Sequence, residues 1–418
     1  MQCLPRDLKP LAVVALALYA TGARADDSGT SVFSLGGFGT LGVVHSSEDR
    51  ADFTGSIFKP SGAGHTRAWS ADVDSLIAAQ ATARFTPKLS AVLQVVSEQD
   101  HEGTYRPHVE WANVKYQFTP EFSARIGRTV LPIYMVADSR KVNYANPWVR
   151  PPTEVYAMVP ITSNDGVDAS LRVAVGPAIN TIQLTAGRSD SKFPDNRGLA
   201  GGTAEARHLV AVADTLESGF ATVRFSVGRM RLTIPELGAL FDGFRQFGPQ
   251  GRAIADRYDV SDRPVTYYAV GASYDPGRWF VMGEWSKLSS NPTIGGKTGW
   301  YVTGGYRMDK VTPFASYAQA NAGNLSAPGL TVSGLPAQLA ASAERLNATL
   351  NGMLGSKVVQ DTFSVGGRWD FMRNATFTLQ YDRTRVGAGS TGALRNIQPG
   401  FEPGGNVNVF SATIDFVF

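Results

Sequence analysis

Apolar and polar residues alternate along most of this chain with a period of two. At residues 408–418, Phe410, Ala412, Ile414, Phe416 and Phe418 share one parity, and Val409, Ser411, Thr413, Asp415 and Val417 share the other. Side chains of a strand alternate between its faces, so one face here is wholly apolar and the other mostly polar. The pattern recurs. In 69–85, Ala71, Val73, Ile77, Ala79, Ala81, Ala83 and Phe85 oppose Asp72, Asp74, Gln80, Thr82 and Arg84. Equivalent runs cover 108–118, 165–176, 220–228, 298–310, 361–371 and 375–382. All of them read as strands rather than helices.

The connections sharpen that reading. Short turns of Pro, Gly, Asp or Asn chemistry fall at 86–88, 119–121, 176–178, 217–219, 275–277, 309–311 and 373–374. Longer polar segments fall at 45–67, 99–106, 132–163, 189–205, 232–264, 289–297, 322–357 and 387–405. The two kinds alternate strictly, as tight hairpins and long loops do when each kind lies on its own side of a membrane. Seven short turns and eight long loops join sixteen strands. Aromatic residues crowd the short-turn ends (Phe85, Phe118, Phe122, Phe220, Tyr274, Trp279, Tyr306, Phe371, Phe377 and Phe418), which reads as an interfacial girdle. The expected fold is all-β: one transmembrane antiparallel β-barrel of about sixteen strands over 26–418, with short periplasmic turns and long extracellular loops. Strand one, 32–44, is expected to pair with the last strand and leave no edge. A soluble sandwich or propeller does not explain the turn–loop alternation.

Composition adds an export signal. The apolar run Leu11–Ala20 follows Arg6 and Lys9 and precedes Ala23-Arg24-Ala25. Ten residues are too few to span a bilayer as a helix, and this arrangement reads as a signal peptide cleaved before Asp26. Cleavage removes Cys3, the only cysteine, so cysteine metal sites and cysteine nucleophiles are excluded from the mature chain. The formal net charge is only +3, and the excised segment carries Arg6, Lys9 and Arg24 against Asp7. No concentrated basic face for nucleic acid results. No serine-nucleophile, zinc, phosphate-loop or calcium-loop motif occurs. His108 and His208 fall on strands and His45, His65 and His101 on loops, so no enzyme and no cofactor is expected.

The signal peptide, the sixteen strands and the terminal "IDFVF", together with "QATARFTPKLSAVLQ" and "YANPWVRPPTEVY", resemble Gram-negative outer-membrane porins and related porin-like proteins of proteobacteria. The resemblance implies an outer-membrane barrel set in lipid. Phe416 and Phe418 would form the signal read by the barrel-assembly machinery. A third long loop would fold into the lumen, and the barrel would form a homotrimer. The acidic "PEFG"-type loop motif of general porins is absent.

The third long loop, 132–160, carries Asp138, Arg140, Lys141, Arg150 and Glu154 with Tyr144, Trp148 and Tyr156. So many aromatic residues need burial, which favours inward folding, with these charges setting the bore. Strand parity places Arg84, Lys115, Arg125, Arg172, Arg224, Arg307 and Arg368 on the lumen wall, with Asp72, Asp74, Asp168, Glu284, Asp309, Asp370, Asp382 and Asp415 facing them. A basic ring favours anions, whereas paired charges give little selectivity. Residues 335–354 carry Leu335, Leu339, Leu346, Leu350 and Met353 at helical spacing, and 234–247 reads as a second short loop helix. The function expected is a water-filled channel for passive diffusion of small hydrophilic solutes and ions. A substrate-selective channel for small anions or organic acids, and a barrel serving as adhesin or anchor, are the alternatives.

Overall fold

The computed structural model describes residues 32–195 and 201–418. The proposed signal peptide and Cys3 lie outside the described residues. Sixteen long strands follow one another as β1 Phe33–Ser46, β2 Leu76–Arg84, β3 Leu89–Glu98, β4 His108–Gln117, β5 Phe122–Val130, β6 Ser163–Val175, β7 Ala178–Phe193, β8 Gly202–Ser218, β9 Ala221–Thr233, β10 Arg263–Tyr274, β11 Trp279–Ser289, β12 Lys297–Tyr306, β13 Val311–Ala322, β14 Gln360–Met372, β15 Ala375–Val386 and β16 Asn406–Val417. Each pairs antiparallel with the next, and β1 pairs with both β2 and β16. The sheet is therefore a closed barrel, and every ladder bond is met within it.

The alternation read from the sequence sets the two faces. On β16, Phe410 and Ile414 are exposed on the outside, as is Phe418 just past its end, while Val409, Ser411, Thr413 and Asp415 are buried within. Val223 and Phe225 on β9 and Leu171 and Val175 on β6 likewise face out, whereas Asp168 and Ser226 are buried.

Closure depends on two glycines. Phe418 and Gly37 exchange backbone hydrogen bonds of 2.9 and 3.0 Å. The outward rings of Phe418 and Phe416 lie over Gly37 and Gly39. A Cβ added at Gly37 would sit 2.4 Å from the Phe418 ring and 2.5 Å from the Ala78 carbonyl oxygen. The ring can rotate away, but the backbone carbonyl cannot. Gly37→Val is expected to lower the yield of folded barrel sharply, read as loss of the heat-modifiable gel band. Val43→Leu, on the exposed face of the same strand, should leave the yield unchanged.

Two readings are corrected. Residues 71–75 are not part of β2, which begins at Leu76; Asp72 and Asp74 belong to the first long loop. His45 lies on β1 rather than in a loop. The loops carry structure of their own. Strands Asp52–Phe53, Ala63–Gly64 and Leu394–Arg395 form a small sheet that ties the first loop to the last. The fifth loop holds helices α2 Gly238–Arg245 and α3 Gly248–Tyr258, and the seventh holds α4 Ala337–Gly355. Phe241, Phe244, Ala343, Leu350 and Leu354 are buried where these helices meet.

Candidate functional site: the loop inside the barrel

The third long loop runs from β5 to β6, across 131–162, and includes the short helix α1 Thr153–Tyr156. It folds into the lumen and is bonded to much of the wall. At its start, Arg224 and Ser226 of β9 donate to the carbonyls of Pro132 (2.9 Å) and Ile133 (2.7 Å). At its deepest point, the Tyr144 hydroxyl donates to the carbonyl of Arg373 (2.6 Å), in a turn at the periplasmic end. Asn143 donates to Thr40 of β1 (3.1 Å), and Trp148 Nε1 to Thr303 of β12 (2.9 Å). The loop thus spans the depth of the barrel.

Three of its charges act as fasteners. Arg150 donates to Asp74 at 2.6 and 2.9 Å, to Asp382 at 3.3 Å and to Ser411 at 2.7 Å. Burial alone would lower the Arg150 guanidinium, but the aspartates outweigh it and hold it above its ordinary value. Lys141 sits between Glu98 (2.6 Å) and Glu110 (2.8 Å), with His108 Nε2 3.5 Å away. Burial opposes its charge as well, and the Glu110 and Glu98 carboxylates raise the ammonium above its usual range. Glu154 is buried and accepts from Gln360 (2.6 Å) and from Thr362. Burial raises its carboxyl, and these hydrogen bonds offset only part of that.

Arg140 bridges the two arms of the loop. It donates to the carbonyls of Tyr156 (2.6 Å) and Val159 (3.2 Å), and its guanidinium lies 5.4 and 5.5 Å from the Tyr134 and Tyr156 ring centres. Asp138, by contrast, is exposed.

The apolar side chains of the loop are not spread evenly. Tyr134, Trp148, Val155, Tyr156 and Val159 join Tyr267, Phe280, Tyr301 and Phe314 of the wall and the loop helices in one buried core. That core fills the lumen on the β8–β13 side. Open space lies opposite, where a cavity of about 510 Å³ is bounded by the first two loops, the upper ends of β4–β7 and the third loop. Lys59, Glu98, His108, Glu110, Arg140 and Lys141 reach it.

Beneath the loop, the wall arginines are largely paired. Arg125 meets Asp168 at 2.7 Å, Arg172 meets Glu217 at 3.7 Å and Arg368 meets Asp370 at 2.9 Å while capping the carbonyls of Tyr144 and Asn146. Arg307 lies just past β12, in the turn, where Asp275 holds it at 2.6 Å. Arg84 and Lys115 keep the inward parity; Arg84 is exposed and Lys115 half-buried. The sequence reading missed Glu110 and His108. A bulge pairs Gln94 with Trp111 but Val95 with Val109, so Glu110 and Trp111 both turn inward and the parity of His108 flips.

No family model matches the chain, and no curated protein matches it. Solved structures do. An OmpF from Salmonella typhi, in complex with daunomycin, is similar at 13% identity and a TM-score of 0.53, covering 92% of this chain and 97% of that one. An anion-selective porin from Comamonas acidovorans is similar at 10% identity and a TM-score of 0.54, covering 92% and 99%. The outer-membrane channel DcaP of Acinetobacter baumannii is similar at 10% identity and a TM-score of 0.54, covering 92% and 97%. The fold is that of a sixteen-stranded Gram-negative outer-membrane porin.

Proposed function

We propose that the chain is a water-filled outer-membrane channel for passive diffusion of small hydrophilic solutes and ions, leaning towards anions. The observation that carries this reading is the exposure of charged side chains that point into the barrel. Arg84 and Arg172 share the inner face yet are exposed, and Lys115 on the same face is only half-buried, so the lumen beneath the third loop holds space for water. On β2–β9 that face carries Arg84, Lys115, Arg125, Arg172 and Arg224 against Glu98, Glu110, Asp168 and Glu217, with Lys141 of the third loop between Glu98 and Glu110. Arg125 and Arg172 are neutralised locally, which leaves Arg84, Lys115 and Arg224 to bias the field. Charges in a narrow pore act at short range and are weakly screened, so a small excess suffices for a modest preference. The anion-selective porin among the similar structures fits this reading but, at 10% identity, adds no residue to it.

In a tenfold salt gradient the reversal potential is expected to lean towards anions, and Arg84→Ser with Lys115→Ser should shift it towards cations. Strong cation preference in the parent would overturn the reading. On the same reading residues 1–25 are removed on export, outer-membrane lipid surrounds the barrel, and the assembly machinery reads Phe416 and Phe418. Three copies would associate as a homotrimer. Terminal sequencing of outer-membrane material should begin at Asp26.

A further inference from the structure

Outside the lumen, the outer wall has a groove that the channel reading does not use. It has a volume of about 520 Å³ and lies across β14, β15 and β16 beside Trp69 of the first loop. Its apolar lining is Val365, Gly367, Leu379, Tyr381 and Phe410, with Trp69 at one edge. Trp69 is 61% exposed and Phe410 51% exposed. The floor stays open because Gly367 has no side chain: a Cβ added there would meet nothing within 4 Å.

Register orders what lies above it. Leu379 is opposite Gly367 and Ala412, and Tyr381 is opposite Val365 and Phe410. Two residues further towards the extracellular end, Arg383 is opposite Phe363 and Asn408; two beyond that, Arg385 is opposite Asp361 and Asn406. Each step rises about 6 to 7 Å along the strand. The Tyr381 and Phe410 rings are 4.7 Å apart, and Tyr381 donates to Asn408 at 2.8 Å, which fixes the upper rim of the groove.

Arg383 and Arg385 both point outward and are exposed. Neither forms an ion pair or hydrogen bond among the described residues. Asp361 accepts a hydrogen bond from Gln319 at 2.7 Å and is the one acid beside them, opposite Arg385 alone. An apolar groove at membrane depth, with two free guanidinium groups directly above its open end, presents the two halves of one ligand class. A guanidinium matches phosphate in charge and in the geometry of its paired donors.

We propose that this outer face binds a phosphate-bearing lipid of the outer leaflet. An acyl chain lies in the groove against Trp69, Gly367 and Leu379, and the phosphate is held by Arg383 and Arg385. The site does not depend on the channel reading, since it lies outside the lumen. Each arginine near a charged membrane surface contributes roughly a fivefold factor in affinity, so the pair accounts for about thirtyfold.

The test reconstitutes the purified full-length barrel in phosphatidylcholine vesicles doped with diphosphorylated lipid A, extracts it in mild detergent and weighs the lipid retained per chain by native mass spectrometry. The parent is expected to retain lipid A and to retain its dephosphorylated form less. Arg383→Ser with Arg385→Ser should lower retention at least tenfold and remove its sensitivity to salt. Gly367→Leu, with both arginines in place, should lower retention by filling the floor. Heat-modifiable mobility and unchanged conductance keep a folding defect from counting as support. Equal retention by parent and variants would overturn the proposal. So would a Gly367→Leu variant that changes oligomeric state while retaining lipid, since the groove would then be covered by a second copy of the chain.

Discussion

Replacing Arg150 with alanine is expected to raise single-channel conductance and to make it noisier. Arg150 fastens the inner loop to three separate places, namely Asp74 in the first loop, Asp382 on β15 and Ser411 on β16. Its side chain is only 10% exposed, and those of Asp74 and Asp382 are 4% and 8% exposed. Removing the cation leaves two aspartates facing one another without a counter-ion, with Gln380 still donating to Asp382 at 2.7 Å. Breaking a buried pair in this way costs about 3–5 kcal/mol. The strain falls on the loop, because the barrel ladder does not depend on Arg150. The loop between Trp148 and Pro151 should then lift from the wall, while the bonds of Arg224 and Ser226 to Pro132 and Ile133 keep its first arm in place. Recording in planar bilayers reads this directly. A folded variant with unchanged conductance would show that this stretch does not bound the bore.

The second large effect separates the two faces of one strand. Val223 of β9 is 47% exposed on the apolar outer face, and Thr222 points inward. An arginine facing lipid costs up to about 2–4 kcal/mol at the midplane and less towards either interface, whereas a lumen position accepts it. Val223→Arg should therefore lower the urea midpoint of unfolding in lipid, and Thr222→Arg should leave it nearly unchanged. The same contrast is not available on β16. Ile414→Arg should be as damaging as Val223→Arg, but Thr413 is 1% exposed and lies under Asp74 and Gly42, so an inward arginine there has no room. Equal damage from the two β9 variants would contradict the register.

Strands and faces were legible in the sequence because a period of two is a local property, written into neighbouring residues. What it misread is non-local or irregular. Ala71 and Val73 alternate with Asp72 and Asp74 as a strand would, yet this stretch turns inward to offer Asp74 to Arg150 and the carbonyls of Asp72 and Val73 to Lys59. The bulge that aims Glu110 at Lys141 breaks the alternation by one residue, and nothing in the composition marks it. Helix α4 was visible from its leucine spacing. Helix α3 was not, because "GPQGRAIADRY" reads as loop. Its proline sits in the first turn, where a missing donor costs little, and Gly251 lets the Phe244 carbonyl approach. The charged residues of the third loop were identified as a set, but their roles differ. Arg150 and Glu154 are buried fasteners, Lys141 is a tether, and Asp138 and Arg140 retain access to solvent. Partners 76 and 232 residues away, as for Arg150, leave no trace in local sequence.

The central claim is that water and ions pass through the β1–β7 side of the lumen, beside the inner loop. Single-channel recording of the purified parent barrel in a planar bilayer, with folding established by heat-modifiable mobility, tests it most directly. Discrete, ohmic conductance steps that grow when residues 138–150 are deleted are the predicted result. Folded protein that inserts without conductance steps, or steps that do not change after the deletion, would contradict it.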